Sequence, residues 1–240
     1  MIPKTICLTW ETKNFELESM TDAVNSWKTL NPSFEVNVFD KFDRENLVKE
    51  IDIVNKAYHI VGKNSAKADI WRLMYLYEHG GFYTDIDQIC LQPVSEYIEN
   101  DIDFVICTGY GHDKQNARLV NGFIGTIPKN PMVKYLLENI CLNVINLYES
   151  KTFDILNTPG HYITGPLIIG KLLNKYIDRE EQTIFPPGKH TFKEQNYFFI
   201  IHYPAKHMEI NGKKIIKEKY EGYNELRETF FQKTINPVNV

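Results

Sequence analysis

One stretch of the chain decides the fold: residues 65–87, SAKADIWRLMYLYEHGGFYTDID. Apolar residues at i, i+3, i+4 and i+7, beginning at Ile70, predict an amphipathic helix over residues 65–79, with Ser65 as its N-cap. The following Gly80 and Gly81 end the helix, because glycine readily adopts the left-handed turn that closes a helix. Residues 82–87 then predict a strand that carries two aspartates at its end.

Strand and helix signals alternate on both sides of this stretch. The sequence predicts further strands at residues 6–10, 34–39, 103–108, 120–127 and 197–202. It predicts further helices at residues 20–30, 47–53, 131–148 and 165–176, and near 225–232. This order predicts an α/β protein with a Rossmann-type, mainly parallel sheet flanked by helices. We expect one domain over residues 1–240, with a polar tail or helix from about residue 212.

Composition excludes several classes of protein. With 240 residues, of which 43% are hydrophobic, the chain can bury a substantial core and is not mainly disordered. A net charge of -4 is atypical of nucleic-acid-binding proteins. No apolar run reaches the roughly 18–20 residues of a membrane span, and the start of the chain does not read as a secretory signal. The 4 cysteines form no C-x-x-C pair, which predicts buried, reduced thiols in a cytoplasmic protein.

The two aspartates at the end of the predicted strand indicate a cation site. Alternation along a strand would point Asp85 and Asp87 to one side and Ile86 into the core. Two neighbouring carboxylates repel each other unless a cation lies between them, and oxygen ligands suit Mg²⁺ or Mn²⁺. We therefore interpret the pair as a metal site that neutralises a diphosphate. The alternative is two solvated aspartates in a turn.

The helix before this strand carries two charged residues that point to the same ligand. Asp69 and Arg72 are three residues apart, a spacing that also suits an ordinary ion pair. A two-residue glycine turn separates their helix from the strand, so both should lie near the aspartates. Arg72 could then contact phosphate and Asp69 a sugar hydroxyl.

These residues resemble a known family. Residues 66–87 resemble the D-x-D sugar-binding region of glycosyltransferase family 32, through Ala-Lys-Ala-Asp-x-x-Arg and the following Gly-Gly-x-Tyr-x-Asp-x-Asp. That family includes yeast initiating mannosyltransferases and bacterial enzymes of polysaccharide (including capsular) synthesis, and it is similar to the catalytic domains of glucosylating toxins. Residues 2–10, 26–32 and 164–166 also match it.

The resemblance implies a GT-A fold and a reaction. The implied activity is retaining, metal-dependent transfer of a sugar from a UDP- or GDP-sugar to a hydroxyl of a glycan, lipid-linked or protein acceptor. The implied catalytic residues are Asp85, Asp87 and Arg72, with Asp87 as the direct ligand of Mn²⁺ or Mg²⁺ and Asp85 often acting through water. The implied donor-binding residues are Trp10, Asp69, Arg72, Tyr83, Asp85, Asn121 and Gly165. Trp10 would stack on the nucleotide base, or it is a core tryptophan.

The end of the donor site departs from the family. His202, after an apolar strand, is our candidate for a third metal ligand, and a structural histidine is the alternative. Lys206 and His207 are candidate phosphate contacts. The Gly-Ser-Trp-like turn of the family is absent here, which leaves the C-terminal lid of the donor site without matching residues.

Other functions remain open at this stage. A non-catalytic sugar-nucleotide-binding protein could keep the same motif. A phosphohydrolase with Asp85 as nucleophile is disfavoured, because Ile89 stands where that class has Thr or Val and no G-D-x-x-x-D follows. The basic residues 213–219 could contact a membrane that carries a lipid-linked acceptor, or they form a solvated hairpin or helix face.

Overall fold

The fold is described by a computed structural model that covers residues 1–15, 17–110, 117–151, 154–155, 158–178, 187–203 and 206–218. Within these residues the chain forms one mixed sheet of ten strands with helices packed on it. The predicted α/β class with a helix-flanked sheet is confirmed.

Seven helices and ten strands make up the described part of the chain. The helices are α1 (Glu18–Leu30), α2 (Lys41–Val48), α3 (Asp52–Ile60), α4 (Asn64–His79), α5 (Pro131–Ser150), α6 (Gly160–Ile163) and α7 (Pro166–Tyr176). The strands are β1 (Thr5–Thr9), β2 (Glu35–Phe39), β3 (Gly81–Thr84), β4 (Gln88–Cys90), β5 (Phe104–Tyr110), β6 (Ala117–Thr126), β7 (Gly188–Phe192), β8 (Gln195–Tyr203), β9 (His207–Ile210) and β10 (Lys213–Glu218).

The centre of the sheet is mainly parallel, as predicted. The strand order is β2-β1-β3-β6-β5-β8-β9-β10-β4, with β7 paired to β8. β1 is parallel to β2 and β3, β5 is parallel to β8, and β6 is antiparallel to both β3 and β5. Five of the six central strands therefore run in one direction, and the carboxyl ends of β1 and β3 lie side by side. Ligands of open α/β sheets bind at this edge.

Apolar cores lie on both faces of the sheet. On one face α3, α4, α5 and α7 cover a core around the fully buried Trp71 and Tyr83. On the other face α1 contributes Trp27, which stacks on Phe123 with ring centroids 5.8 Å apart. The alternation of Phe82 and Tyr83 along β3 places one aromatic ring in each core, which fixes the orientation of the strand that leads into the aspartates.

β4 is attached to the molecule differently from the strands that precede it. Its residues pair with β10, with Gln88 opposite Glu218. Helix α1 also holds it, because the Trp27 indole donates to the Gln88 carbonyl at 2.9 Å and the Cys90 amide donates to the Ser26 hydroxyl at 2.9 Å. The chain after the aspartates is therefore secured by α1 and by the β9–β10 hairpin.

Two predicted helices differ from the observed ones. Residues 47–53 were predicted as one helix, but α2 ends at Val48 and α3 begins at Asp52. The start of α2 is fixed by a capping box in which the Asp40 side chain accepts from the Asp43 amide at 3.0 Å. Ser65 is not the N-cap of α4, since the helix starts one residue earlier and Lys63 occupies the N-cap position.

The predicted polar tail is partly strand. Residues 213–218 form β10, which pairs with β9 in a hairpin, in agreement with the hairpin considered for residues 213–219. The strands β4, β7 and β9 were not predicted, because they are short or follow turns with little apolar alternation. The helix predicted near 225–232 lies outside the described residues.

The structure also bears on the cysteines and on membrane-spanning helices. All four cysteines are free and buried, as expected for structural thiols. Within the described ranges, no helix combines the length and apolar character needed to cross a membrane.

Gly81, at the junction of α4 and β3, has a backbone conformation and close contacts that a side chain would strain. This residue has φ +91°, and a Cβ there would lie 2.8 Å from the Thr5 carbonyl oxygen. Gly188 has φ +107° with open space around it. We expect Gly81→Ala to lower the free energy of unfolding by about 2–4 kcal/mol, from strain plus overpacking, and Gly188→Ala by about 1 kcal/mol from strain alone. Urea denaturation followed by circular dichroism measures both, and equal losses would contradict the steric argument.

Candidate functional site

A cleft of about 730 Å³ opens at the carboxyl ends of β1 and β3. Its other walls come from the first turns of α4 and from residues 159–161 and 166 around α6. The cleft brings together most of the residues that the sequence singled out: Trp10, Asp69, Arg72, Tyr83, Asp85, Asp87 and Asn121. Gly165 packs behind this wall instead of lining the cleft.

A second cavity does not match the predicted chemistry. It measures about 710 Å³ and lies at the opposite ends of β1 and β3, where Lys4, Phe34 and Phe82 contribute to its lining. Ligands of such sheets bind at the carboxyl ends of the strands, which favours the first cleft as the functional one.

The two aspartates lie in a turn and not within a strand. β3 ends at Thr84, one residue before Asp85, so the predicted strand over residues 82–87 was too long. The Asp85 amide donates to the Gly122 carbonyl at 2.9 Å, and the Gln88 amide donates back to the Asp85 carbonyl at 3.1 Å. These bonds close the turn and direct the chain into β4. Strand alternation therefore does not set the relative direction of Asp85 and Asp87, although both line the cleft.

Arg72 lies at the centre of the charged groups. It projects from α4, is 5% exposed, and its guanidinium lies 4.2 Å from the centre of the Tyr83 ring. Nη1 lies 3.2 Å from Asp85 Oδ1 and Nη2 lies 3.2 Å from Asp69 Oδ1. Nη1 also donates to the Asn121 carbonyl at 2.5 Å. Burial opposes the charge, but these acidic neighbours outweigh it and hold the pKa of Arg72 above its ordinary value.

Asp85 is the more accessible partner of this arginine. Its side chain is 35% exposed, against 6% for that of Arg72, and the Tyr83 hydroxyl donates to Oδ1 at 2.7 Å. Burial raises the pKa of the Asp85 carboxyl, and the Arg72 charge and the Tyr83 hydrogen bond only partly offset this. Glu218 at the end of β10 adds negative charge nearby, which raises the pKa further. A cation at this carboxylate would therefore be stabilised by more than one negative group.

Asp69 is held on three sides. Asn121 Nδ2 donates to Oδ1 at 2.7 Å, and the Thr164 hydroxyl donates to Oδ2 at 2.9 Å. Together with Arg72, these bonds tie α4 to β6 and to the segment between α6 and α7. Burial raises the pKa of Asp69, while the Arg72 charge and the bonds from Thr164 and Asn121 oppose that shift. The predicted sugar-binding aspartate is thus also the anchor of the cleft.

Thr164 and Gly165, which lie next to Asp69, were predicted differently from the sequence. Thr164 lay within the Thr-Gly-Pro element that matched the family, but its side chain was not predicted to reach Asp69. Gly165 is not among the described residues that line the cleft, and its predicted contact with the donor stays a prediction. A Cβ at Gly165 would lie 3.2 Å from Asp69 Oδ2 and 2.9 Å from the His161 Cα.

Arg44 fixes the loop that carries Trp10, and sequence reasoning missed it. It projects from α2 and is 2% exposed. Its Nη1 donates to Thr9 Oγ1 at 2.7 Å and to the Trp10 carbonyl at 2.8 Å, and its Nη2 donates to Glu11 Oε1 at 2.7 Å. The buried arginine thus sets the position of Trp10 at the edge of the cleft. No sequence signal distinguished Arg44 from the exposed charges around it.

The predicted third metal ligand is not tested by the structure. His202 lies on β8 opposite Gly109, and its side chain is outside the described residues. His207 lies on β9, where its Nε2 is 3.4 Å from Glu209 Oε2. Neither Lys206 nor His207 is among the described residues that line the cleft, and their phosphate contacts stay a prediction.

The cleft has the right chemistry for a divalent ion shared with a ligand. Among the described residues, no three His, Cys, Asp or Glu side chains converge on one point. Mg²⁺ in such sites usually takes one or two carboxylates and completes its shell with phosphate oxygens and water. Gly122 lies close to this carboxylate, because a Cβ there would lie 2.7 Å from Asp85 Oδ2, so a larger residue would crowd the ligand oxygen. The residues present therefore fit a metal that arrives with a phosphorylated ligand.

Comparisons with known proteins agree with this site. The sequence profile of the glycosyltransferase sugar-binding region containing the DXD motif matches residues 18–103. The initiation-specific α-1,6-mannosyltransferase of Candida albicans is 37% identical over 106 residues, which are 41% of this chain and 27% of that protein. The chain thus matches about a quarter of the length of that relative.

Solved structures share the fold. The PaToxG glycosyltransferase has a TM-score of 0.55 at 18% identity, covering 74% of this chain and 70% of that one. The catalytic domain of the α-toxin from Clostridium novyi has a TM-score of 0.52 at 9% identity, covering 77% of this chain and 75% of that one.

The fold and the site together define a class. The fold is similar to that of the solved glycosyltransferase domains, and residues 18–103, which match the DXD region, contribute Asp69, Arg72 and the two aspartates to the cleft. The predicted resemblance to the DXD glycosyltransferases, including the initiating mannosyltransferases and the toxin domains, is confirmed. The relatives that carry this region are named glycosyltransferases, as expected for an enzyme of that class.

The Thr164 bond gives a prediction for the ionisation of Asp69. Thr164→Val removes the hydroxyl donor and leaves Oδ2 without that bond, so the ionised carboxylate is less stabilised. We expect the pKa of Asp69 to be higher in Thr164→Val than in the parent protein and unchanged in Thr164→Ser. A ¹³C NMR titration of the side-chain carboxyl groups measures the shift. A pKa of Asp69 that stays constant in Thr164→Val would show that the bond does not stabilise the anion.

The Arg44 contacts give a prediction for stability. Arg44→Met removes the charge-assisted bonds to Glu11 and the β1 end, and we expect a loss of about 2–3 kcal/mol in the free energy of unfolding. Arg44→Lys should lose less, since it keeps the charge but not the forked donors. Lys41→Met, at an exposed position of the same helix, is the matched control. Urea denaturation measures the free energy of unfolding of each variant. A loss in Arg44→Met no larger than in Lys41→Met would contradict the stabilising role of the Arg44 contacts.

Proposed function

We propose that this protein is a retaining, metal-dependent glycosyltransferase that moves a sugar from a nucleotide-diphosphate sugar to a hydroxyl acceptor. The observation that carries the proposal is the buried Arg72 cluster beside the aspartate turn in one cleft. A positive group and a carboxylate pair in one cleft suit a ligand that brings both a diphosphate and a cation.

Arg72 would balance the negative charge of the departing diphosphate. It keeps its proton at any physiological pH, because its pKa lies above an already high ordinary value. Its position is set in advance by Asp69, Asp85 and the Asn121 carbonyl, so little reorganisation is needed when charge develops on the leaving oxygen. This arrangement supports leaving-group stabilisation as the main contribution of Arg72.

Asp85 and Asp87 would hold Mn²⁺ or Mg²⁺ together with the phosphate oxygens. A bound divalent ion at this place supplies electrostatic stabilisation of the diphosphate. The Asp85 carboxylate is oriented by the Tyr83 hydroxyl and by Arg72, which keeps Oδ1 directed toward the arginine. The absence of a side chain at Gly122 avoids a clash with Oδ2. His202 stays a proposal as a further ligand.

Asp69 and Asn121 would orient the sugar ring. Both side chains lie in the cleft wall, and a carboxylate can accept about four hydrogen bonds, more than the three that Asp69 already receives. Trp10, fixed by Arg44, would stack on the nucleotide base at the other end of the cleft. The name of the Candida relative favours mannose as the transferred sugar.

A non-catalytic sugar-nucleotide-binding protein is the rival from another class. Donor hydrolysis distinguishes the two, since a transferase usually cleaves its donor slowly without an acceptor, whereas a binding protein leaves the donor intact. Incubation with Mn²⁺ and a panel that includes GDP-mannose and UDP-glucose, followed by detection of the released nucleotide, provides the test.

Asp87 provides the sharpest test of the mechanism. We expect Asp87→Asn to lower metal-dependent donor turnover by about 100-fold or more, because the ion loses a direct ligand. The circular dichroism spectrum should not change, since Asp87 lies in a half-buried turn. Asp22→Asn, at an exposed position of α1, is the matched control. Full turnover by Asp87→Asn would remove Asp87 from the metal site.

A further inference from the structure

The α6 segment forms a wall of the cleft beside the start of α4. Ile163 is 2% exposed and packs into the core, and Thr164 bonds Asp69 at 2.9 Å. The Thr164 and Gly165 amides both donate to the Gly160 carbonyl, at 2.8 and 3.0 Å. A Cβ at Gly160 would lie 3.4 Å from the Ala66 Cβ, so α6 sits close against α4. The segment is therefore a fixed platform.

Two aromatic side chains project outward from this platform. His161 lines the cleft, and its ring centroid lies 4.2 Å from that of Tyr162 at an interplanar angle of 41°. Tyr162 is 58% exposed. The two rings together form a continuous aromatic surface at the edge of the polar cleft. The adjoining rim carries Asn64 and Ser65, which are hydrogen-bonding residues.

This combination fits a pyranose ring. One face of a sugar presents C–H groups to an aromatic ring, while its edge presents hydroxyls to polar groups. A tyrosine offers both an apolar face and a polar tip, and it loses little conformational entropy on binding. A lipid tail would need a continuous apolar lining, whereas Lys63, Asn64 and Ser65 make this rim polar.

We propose that His161 and Tyr162 form an acceptor subsite that binds a sugar ring of a carbohydrate acceptor. The inference rests on the proposed function, which places the diphosphate at the aspartate turn and the transferred sugar beside Asp69. The platform contacts Asp69 directly, because Thr164 donates a hydrogen bond to it. An acceptor ring on the platform would thus lie next to the transferred sugar, on the side away from the diphosphate.

The experiment compares acceptor and donor kinetics in matched variants. Methyl α-mannopyranoside is the acceptor probe, and the variants are Tyr162→Ala, Tyr162→Phe and the control Tyr148→Ala, a tyrosine 51% exposed on α5. We expect Tyr162→Ala to raise the acceptor KM about 5- to 10-fold, and Tyr162→Phe to restore it to within about 2-fold. Donor hydrolysis without acceptor should stay constant in every variant.

Direct binding keeps this inference separate from the proposed function. Saturation-transfer NMR of methyl α-mannopyranoside on the folded protein should give a signal in the parent and in Tyr148→Ala that is lost in Tyr162→Ala. An unchanged acceptor KM and NMR signal in Tyr162→Ala would overturn the subsite, as would binding of a peptide or of phospholipid vesicles in place of the glycoside. Absence of any donor turnover in the parent would contradict the proposed function, while the NMR result still decides the subsite.

Discussion

The site depends on one buried positive charge. Arg72 loses most of its hydration on α4, and only the surrounding carboxylates and carbonyl make that burial tolerable. Each partner comes from a different part of the chain: Asp69 from the same helix, Asp85 from the turn after β3, and Asn121 from β6. Balancing this charge therefore assembles the cleft, and removal of one partner would leave a buried charge incompletely compensated.

The same network joins structure to chemistry. Asp69 extends the Arg72 cluster to Thr164, so the segment before α7 is fixed by the groups that would bind the donor. On the opposite side, Arg44 fixes the end of β1 and with it Trp10. Two buried arginines thus position the two ends of the cleft. Preorganisation of this kind lets a site respond to developing charge without moving its own groups.

The sequence predicted those parts of the fold that local patterns determine. The long stripe of α4 and the glycine turn that follows it were correct because periodicity and turn chemistry act within a few residues. The strand was extended too far, since its end is set by the bond from the Asp85 amide to Gly122, which lies far along the chain. The contacts of Arg44 with the end of β1 and of Thr164 with Asp69 were also not predicted, because they join residues far apart in the sequence. For β10 the sequence left a hairpin and a helix face both open, because a short basic strand shows little apolar alternation.

The two aspartates are held in place by different elements of the fold. Asp85 is bonded to β6 through Gly122 and moves with the centre of the sheet. Asp87 precedes β4, which is carried by α1 and by the outer hairpin. The Gln88 amide also bonds back to the Asp85 carbonyl, so the separation of the two carboxylates is set jointly by the central sheet, by α1 and by the β9–β10 hairpin.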